Sequence, residues 1–155
     1  MKLCFAGSRF GMTIQQKLKV KEFILKNKNK IEEIRHGDII GGDEEFHSIL
    51  FHLDMINKVH IHPAYDRKSR ALCKSPNIYK PQNTSTRKKI MLDNSNFLLA
   101  TPNTYRYGNR FDVWSYIKIA QEKNIETMIV YPDGFIEFTG RREELNVSRT
   151  NENDK

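Results

Sequence analysis

Residues 36–47 hold three glycines, two aspartates and two histidines in twelve positions. That mixture suits a turn between a strand and a helix that meets a ligand. Glycine lets a backbone approach another molecule closely. Aspartate and histidine bring hydrogen-bonding groups, and histidine titrates near neutral pH. Four side chains here are of metal-ligating type: His36, Asp38, Asp43 and His47. Asp43 and His47 stand four apart, on one face of a helix. No cysteine joins them, and their spacing matches no familiar zinc pattern, so no metal is assigned. His36, Gly37, Asp38 and Gly42 are read as strand-end groups that contact a sugar or base, and Asp43 as a cap on the helix that follows.

Other turns carry chemistry of the same kind. Gly7, Ser8, Arg9, Phe10 and Gly11 form a candidate phosphate loop, because glycines followed by a helix N-terminus present free N–H groups and a positive dipole end. The bland alternative is an ordinary turn. Arg87 and Lys88 fall near the start of a helix, where cations oppose the dipole. Contact with a phosphate gives them a reason to be there, and a solvated face is the alternative. His62, Pro102 and Arg110 complete the ligand-binding candidates. Tyr65, Tyr105 and Tyr107 read equally as rings that stack on a base and as cover for the core. Trp114 sits at a helical core position.

The elements that must position these residues follow from periodicity. Short apolar runs at residues 3–6, 31–34, 58–63, 97–102 and 127–131 read as strands. Residues 12–26, with Thr13 as N-cap, read as a helix that buries Ile14, Leu18, Val20, Phe23, Ile24 and Leu25. Further helices are expected after Asp43 (Phe46, Ile49, Leu50 and Leu53 inward), over 84–94 with Thr84 or Ser85 as cap, and over 111–123 (Val113, Trp114, Ile117 and Ala120 inward). Residues 64–83 form a long polar connection, expected near the ligand. Pro132, Asp133 and Gly134 mark a turn into a short hairpin strand at 135–138.

Five strands alternating with helices predict an α/β fold: one open, mostly parallel five-stranded sheet, helices on both faces and a C-terminal hairpin. In such sheets ligands bind outside the carboxyl ends of the strands. Each turn named above leaves such an end, which points to a single site. The domain is expected over residues 1–140, with residues 141–155 a charged, disordered tail.

Composition bounds the partners. The 155 residues carry a net charge of +7, which favours an anionic ligand. Cys4 and Cys73 have neither metal nor redox spacing, so reduced thiols and a cytoplasmic setting are expected. No apolar run approaches the roughly 18 residues of a membrane span, and no cofactor motif is read.

Taken in order, Gly7 to Gly11, Arg87-Lys88 with Met91, and Phe97 to Pro102 resemble the SLOG superfamily, over about residues 1–138. The pattern of residues 36–47, His62-Pro63 and the closing Tyr131 to Gly134 are similar to its small phage- and viral-type branch. The superfamily includes the LOG phosphoribohydrolases and the DprA proteins. The resemblance implies a Rossmann-like fold that binds nucleotides or nucleotide derivatives, often as a dimer; the helix bearing Trp114 and Tyr116 is the candidate interface. It also implies a LOG-type arginine at Arg87. The LOG Gly-Gly loop is absent, since Asn103 and Thr104 follow Pro102, and Tyr116 stands where the LOG glutamate would be. This departure favours binding, for sensing or sequestration, over turnover. The alternative is a nucleotide N-glycosidase, phosphoribohydrolase or deoxyribosyltransferase, with Asp38 and Arg87 catalytic and Asp43 or Asp112 as other sources of the carboxylate. A DprA-like binder of single-stranded nucleic acid is the third reading; the charge permits it, but no stacking platform stands out.

Overall fold

The computed structural model describes residues 1–106 and 113–140. Two strands sit at the centre because their sequences hold continuous apolar runs, Leu3 to Ala6 and Phe97 to Ala100. β1 (Lys2–Gly7) and β5 (Phe97–Thr101) run parallel, from Leu3 beside Phe97 to Gly7 beside Thr101. Their alternate side chains enter different cores. Leu3, Phe5, Phe97 and Leu99 point to one face of the sheet; Cys4, Ala6, Leu98 and Ala100 point to the other. Burial on both faces is what turns a strand pattern into a continuous apolar run.

Outward from β1 lie β2 (Glu33–His36), β3 (Val59–Ile61) and the two-residue β4 (Asn77–Ile78). Beyond β5 lie β6 (Glu126–Val130) and the antiparallel β7 (Ile136–Thr139). The order is β4-β3-β2-β1-β5-β6-β7, parallel except for β7. The seven strands thus exceed the five expected by the hairpin strand, which was foreseen, and by β4. β4 was hidden in the polar connection because two residues show no periodicity.

Four α-helices among the described residues cover the sheet. α1 (Ile14–Asn27) and α2 (Gly42–His52) pack through Val20, Ile24, Phe46 and Leu50 on one face. α3 (Thr84–Asp93) and α4 (Val113–Glu122) pack through Met91, Leu92, Val113, Ile117 and Ala120 on the other. The chain winds outward from β1 to β4, then crosses back to β5 and winds the other way. The switch point between β1 and β5 is where a doubly wound sheet opens a crevice. No helix among the described residues is long and apolar enough to cross a membrane.

Some local readings need correction. Thr13 does cap α1, in a capping box with Gln16, but Ile14, Leu18 and Leu25 are exposed. The buried stripe runs through Gln16, Val20 and Ile24, four residues apart. A polar residue sits on it because the Gln16 amide donates to Pro102 O and Val130 O, at 2.7 and 2.8 Å. α3 is capped by Asn83, whose Oδ1 accepts the Thr86 N–H, and not by Thr84 or Ser85. The tail at residues 141–155 and the inserted residues 107–112 lie outside the described residues.

One packing contact holds the site's geometry. Gly7 at the end of β1 meets Gly42 at the start of α2, backbone against backbone. A Cβ on Gly42 would stand 2.7 Å from the Gly7 Cα. Neither backbone can yield without moving a strand or a helix. Gly42→Ala is therefore expected to destabilise the fold by about 1–3 kcal/mol, the range for overpacking. Urea denaturation reads this directly; an unchanged midpoint would show that strand and helix do not meet so closely.

Candidate functional site

The crevice opens at the carboxyl edge of the sheet and encloses about 850 Å³. Its walls come from the turns after β1, β2, β3 and β5, the N-terminus of α3, and Val113 and Tyr116 of α4. Of the sequence candidates it brings together Gly7, Ser8, Arg9, Asp43 and Arg87. The connection after β3 does reach it, through Tyr65, Asp66, Lys68 and Ser69.

Asp43 organises the floor. It is not the cap of α2; Gly41 holds that position, at a φ of 109° with the Arg9 carbonyl oxygen against the place a Cβ would take. The Asp43 carboxylate instead accepts N–H groups from three places: Gly7 at 3.4 Å, Gly37 at 3.1 Å and Ile39 at 3.2 Å. It thereby ties the turns after β1 and β2 to the first turn of α2. Burial raises its carboxyl to about 7, and the three N–H donors and the Arg87 charge oppose that rise.

The next carboxylate does similar work. Glu45 accepts the Met12 N–H at 2.6 Å and pairs with Lys17. Gly11 is glycine because its φ is 88° and Glu45 Oε1 lies 2.8 Å from where a Cβ would be. Phe10 N–H and Gly11 N–H both turn back to Ser8. Of the N–H groups between Gly7 and Met12, those of residues 7, 10, 11 and 12 are engaged within the fold. Ser8 and Arg9 remain as the turn's contribution to the crevice.

Arg87 is the buried cation of the site, only 4% exposed. Its Nη1 donates to Gly37 O at 3.0 Å and to His62 O at 3.3 Å, so it also bridges the turns after β2 and β3. Its Nε–H has no partner among the described residues. Gly37 makes room for it: a Cβ there would lie 2.7 Å from Arg87 Nη1. Lys88, one residue on, faces away from the crevice and donates to Ser115 Oγ at 2.7 Å.

Asp38 does not line the crevice. Its backbone is left-handed, with φ 57°. Its Oδ1 accepts the Cys73 N–H at 2.9 Å, its carbonyl accepts the Ala71 N–H, and Arg70 lies 3.9 Å from Oδ2. The carboxylate is thus committed to fastening the connection after β3. Leu72, between the two anchored residues, is also left-handed, at φ 61°.

Behind Asp38, His36, His47 and Cys73 bring possible metal-ligating atoms within 4.8 Å of one another, a donor set that suits zinc. The ring nitrogens of the two histidines are instead committed to hydrogen bonds within the fold. His47 Nε2 faces the Lys74 carbonyl at 3.1 Å and must carry a proton, so its Nδ1 accepts from His36 Nε2 at 2.9 Å. His36 Nδ1 in turn accepts the Asp38 N–H at 3.0 Å. A ligating histidine normally donates from its second nitrogen; in His36 that nitrogen accepts, and His47 Nδ1, the nitrogen left to ligate, is already taken by His36. The two histidines form a neutral relay from Asp38 to Lys74. Burial also pushes the Cys73 thiol up, and the Asp38 carboxylate adds to the rise, so a thiolate is disfavoured.

The remaining candidates back the crevice without lining it. His62 stacks on Tyr79 at 4.5 Å and accepts from Arg35 Nη1 at 2.9 Å. Gly42 supports Gly7, Gly11 receives Glu45, and Pro102 O holds Gln16. Arg110, Tyr107 and Asp112 lie outside the described residues. Trp114 is half-buried against the second core, as a packing residue would be. Phe10 of the Gly7 to Gly11 turn lines the crevice as well, whereas sequence reasoning did not assign Ile39, Ile40, Asn83 and Tyr116 to it. For Ile39 and Ile40 the position in the turn after β2, and for Asn83 the position before α3, was the available signal; Tyr116 reaches the crevice from within α4.

No known family model matches the chain, and no curated protein sequence matches it.

The relay predicts a pH response. Burial, with smaller contributions from His47 and His62, lowers His36 to about 3. Burial also lowers His47 and takes His62 to about 4, in the latter case with help from Arg35. A histidine whose folded pKa lies below its unfolded value binds its proton more readily in the unfolded chain. Its stabilising contribution is complete above about pH 6.5 and is lost as pH falls below that. Asp43, raised to about 7, acts with the opposite sign between roughly pH 4 and 7. Comparing the chain with His36→Gln isolates one histidine. Below pH 6 the parent should lose about 1.4 kcal/mol more per pH unit than the variant. Parallel stability profiles from urea titrations would contradict the buried neutral assignment.

Proposed function

We propose that the crevice binds a nucleotide or a nucleotide-derived small molecule, holding its anionic end at Arg87 and the N-terminus of α3. One observation carries the reading: a buried guanidinium lines the crevice, is fixed by two carbonyls, and keeps an unpaired Nε–H. A buried cationic donor without an acceptor is expensive unless an anion completes it. Thr84, the first residue of α3, lines the same wall beside Asn83. The helix end adds N–H groups and a favourable dipole to the same anion. Arg9 and Lys68 extend the positive surface. The likeness of Arg87-Lys88 and the Gly7 to Gly11 turn to the SLOG superfamily agrees with this ligand class. The ligand is held for sensing or sequestration.

A second reading, hydrolysis of a nucleotide N-glycosidic bond, is favoured by Asp43. It is the buried carboxyl that lines the crevice, at a pKa near that of a useful proton donor. In that reaction water adds to the anomeric carbon and the base leaves with a proton. Asp43 would take the role that Asp38, bound to Cys73 N–H, is not placed to fill.

Isothermal titration with nucleoside monophosphates tests the first reading. Arg87→Met should weaken binding by about 10- to 100-fold, the range for a hydrogen bond to a charged group. Unfolding of the ligand-free variant is followed separately, because Arg87 also ties two turns together. Binding that survives the loss of Arg87 unchanged, or no binding to the parent chain, sinks the proposal. Chromatography of the same mixtures for free base decides between binding and hydrolysis, and Asp43→Asn should abolish any release.

A further inference from the structure

The rim of the crevice carries three exposed apolar side chains, one from each of the turns after β1, β2 and β3. Phe10 is 73% exposed, Ile40 47% and Tyr65 78%, and all three line the crevice. Scattered singly, such residues would mean little. Gathered on one rim, they form a surface that water alone does not favour.

Their exposure is not that of loose loops, because each backbone is pinned. The Phe10 N–H donates to Ser8 Oγ at 3.1 Å. The Ile40 N–H donates to Ser69 O at 3.0 Å, and the Tyr65 N–H to Gln82 O at 3.1 Å. Three large side chains therefore project from fixed points, which reduces the ordering cost when something lies on them. The Arg9 guanidinium lies 4.9 Å from the Phe10 ring centroid, adding a planar cation to the surface.

We infer that this rim is a stacking platform for the planar base of a nucleotide whose anionic end lies at Arg87. The inference rests on the nucleotide reading above and narrows it. A sugar phosphate would reach Arg87 and leave the rim in water. A nucleotide covers both. Stacking acts on the ring face that all bases share, and Phe10 and Ile40 have no side-chain group to read a base edge. The ligand class is therefore a nucleotide read by ring face, purines somewhat tighter than pyrimidines, with little discrimination beyond ring size.

The test is titration of the full chain with AMP, UMP and ribose 5-phosphate, repeated with Phe10→Ser and Tyr65→Ser. Both side chains are exposed, so the variants should keep the parent's melting temperature. Ribose 5-phosphate should bind at least about fivefold more weakly than AMP, the low end of one stacking contact. UMP should fall between them. Each variant should weaken AMP by about fivefold or more and leave ribose 5-phosphate unchanged. Equal binding of AMP and ribose 5-phosphate, or variants that bind AMP as the parent does, would overturn the platform and leave the Arg87 site standing. So would variants that change only the oligomeric state in light scattering, since the rim would then be a surface for a second copy. A parent chain that binds none of the three would overturn both.

Discussion

The crevice depends on a contact in which side chains take no part. β1 ends against the first turn of α2 at a distance that only two glycines allow, Gly7 and Gly42. That approach puts the α2 N-terminus beneath the turns after β1 and β2, where Asp43 can collect N–H groups from Gly7, Gly37 and Ile39. The Ser8 carbonyl accepts the Gly42 N–H at 2.7 Å and closes the same junction. Anything larger at Gly7 or Gly42 would separate strand from helix, and the Asp43 carboxylate would lose its donors one by one. A buried carboxyl left without donors is far costlier than the glycine entropy that the junction requires.

This junction also changes what the Gly7 to Gly11 turn means. A glycine turn before a helix looks like a cradle for phosphate. In this fold the chain supplies its own anions, Asp43 and Glu45, from one turn of α2. The cradle becomes a fastening, and the buried cation that lines the crevice is Arg87. Arg87 reaches its place only because Gly37 lacks a side chain. The three glycines are thus linked: two bring α2 in, and one lets the guanidinium past.

How much of this was legible follows from how each feature is encoded. The alternation of strands and helices was, because burial on both sheet faces leaves apolar runs such as Leu98-Leu99-Ala100. The grouping of turns at one sheet edge followed from that alternation. The buried face of α1 was legible only in part: Val20 and Ile24 are buried and Phe23 packs against the core, but Gln16 lies on that face for the sake of two distant carbonyls while Ile14, Leu18 and Leu25 stand outside. β4 was invisible at two residues. Within the site, composition marked residues 36–47 as unusual but could not assign tasks. Asp38 and Asp43 are alike in type and stand five apart, yet one fastens a surface connection and the other forms the crevice floor. The difference is set by backbone direction, a left-handed φ at Asp38 against a helical one at Asp43, and that is settled by tertiary contacts.

Hydrogen-bond polarity separates chemistry from scaffolding in the same stretch. His36, His47 and Cys73 have the composition of a metal site, and distance alone would accept them. A fixed N–H at Asp38 and a fixed carbonyl at Lys74 determine every proton between them. With both ends set by backbone, neither ring can take another proton or a cation without breaking a bond. The relay is therefore a strut. It holds the connection after β3, whose residues Tyr65, Asp66, Lys68 and Ser69 form one wall of the crevice. The buried polar groups of this chain are spent mostly on fixing that wall and its neighbours. Among the described residues that line the crevice, the buried group without a partner is the Arg87 Nε–H, and the exposed large apolar side chains are Phe10, Ile40 and Tyr65. The nucleotide proposed above, anionic at one end and flat at the other, would meet both.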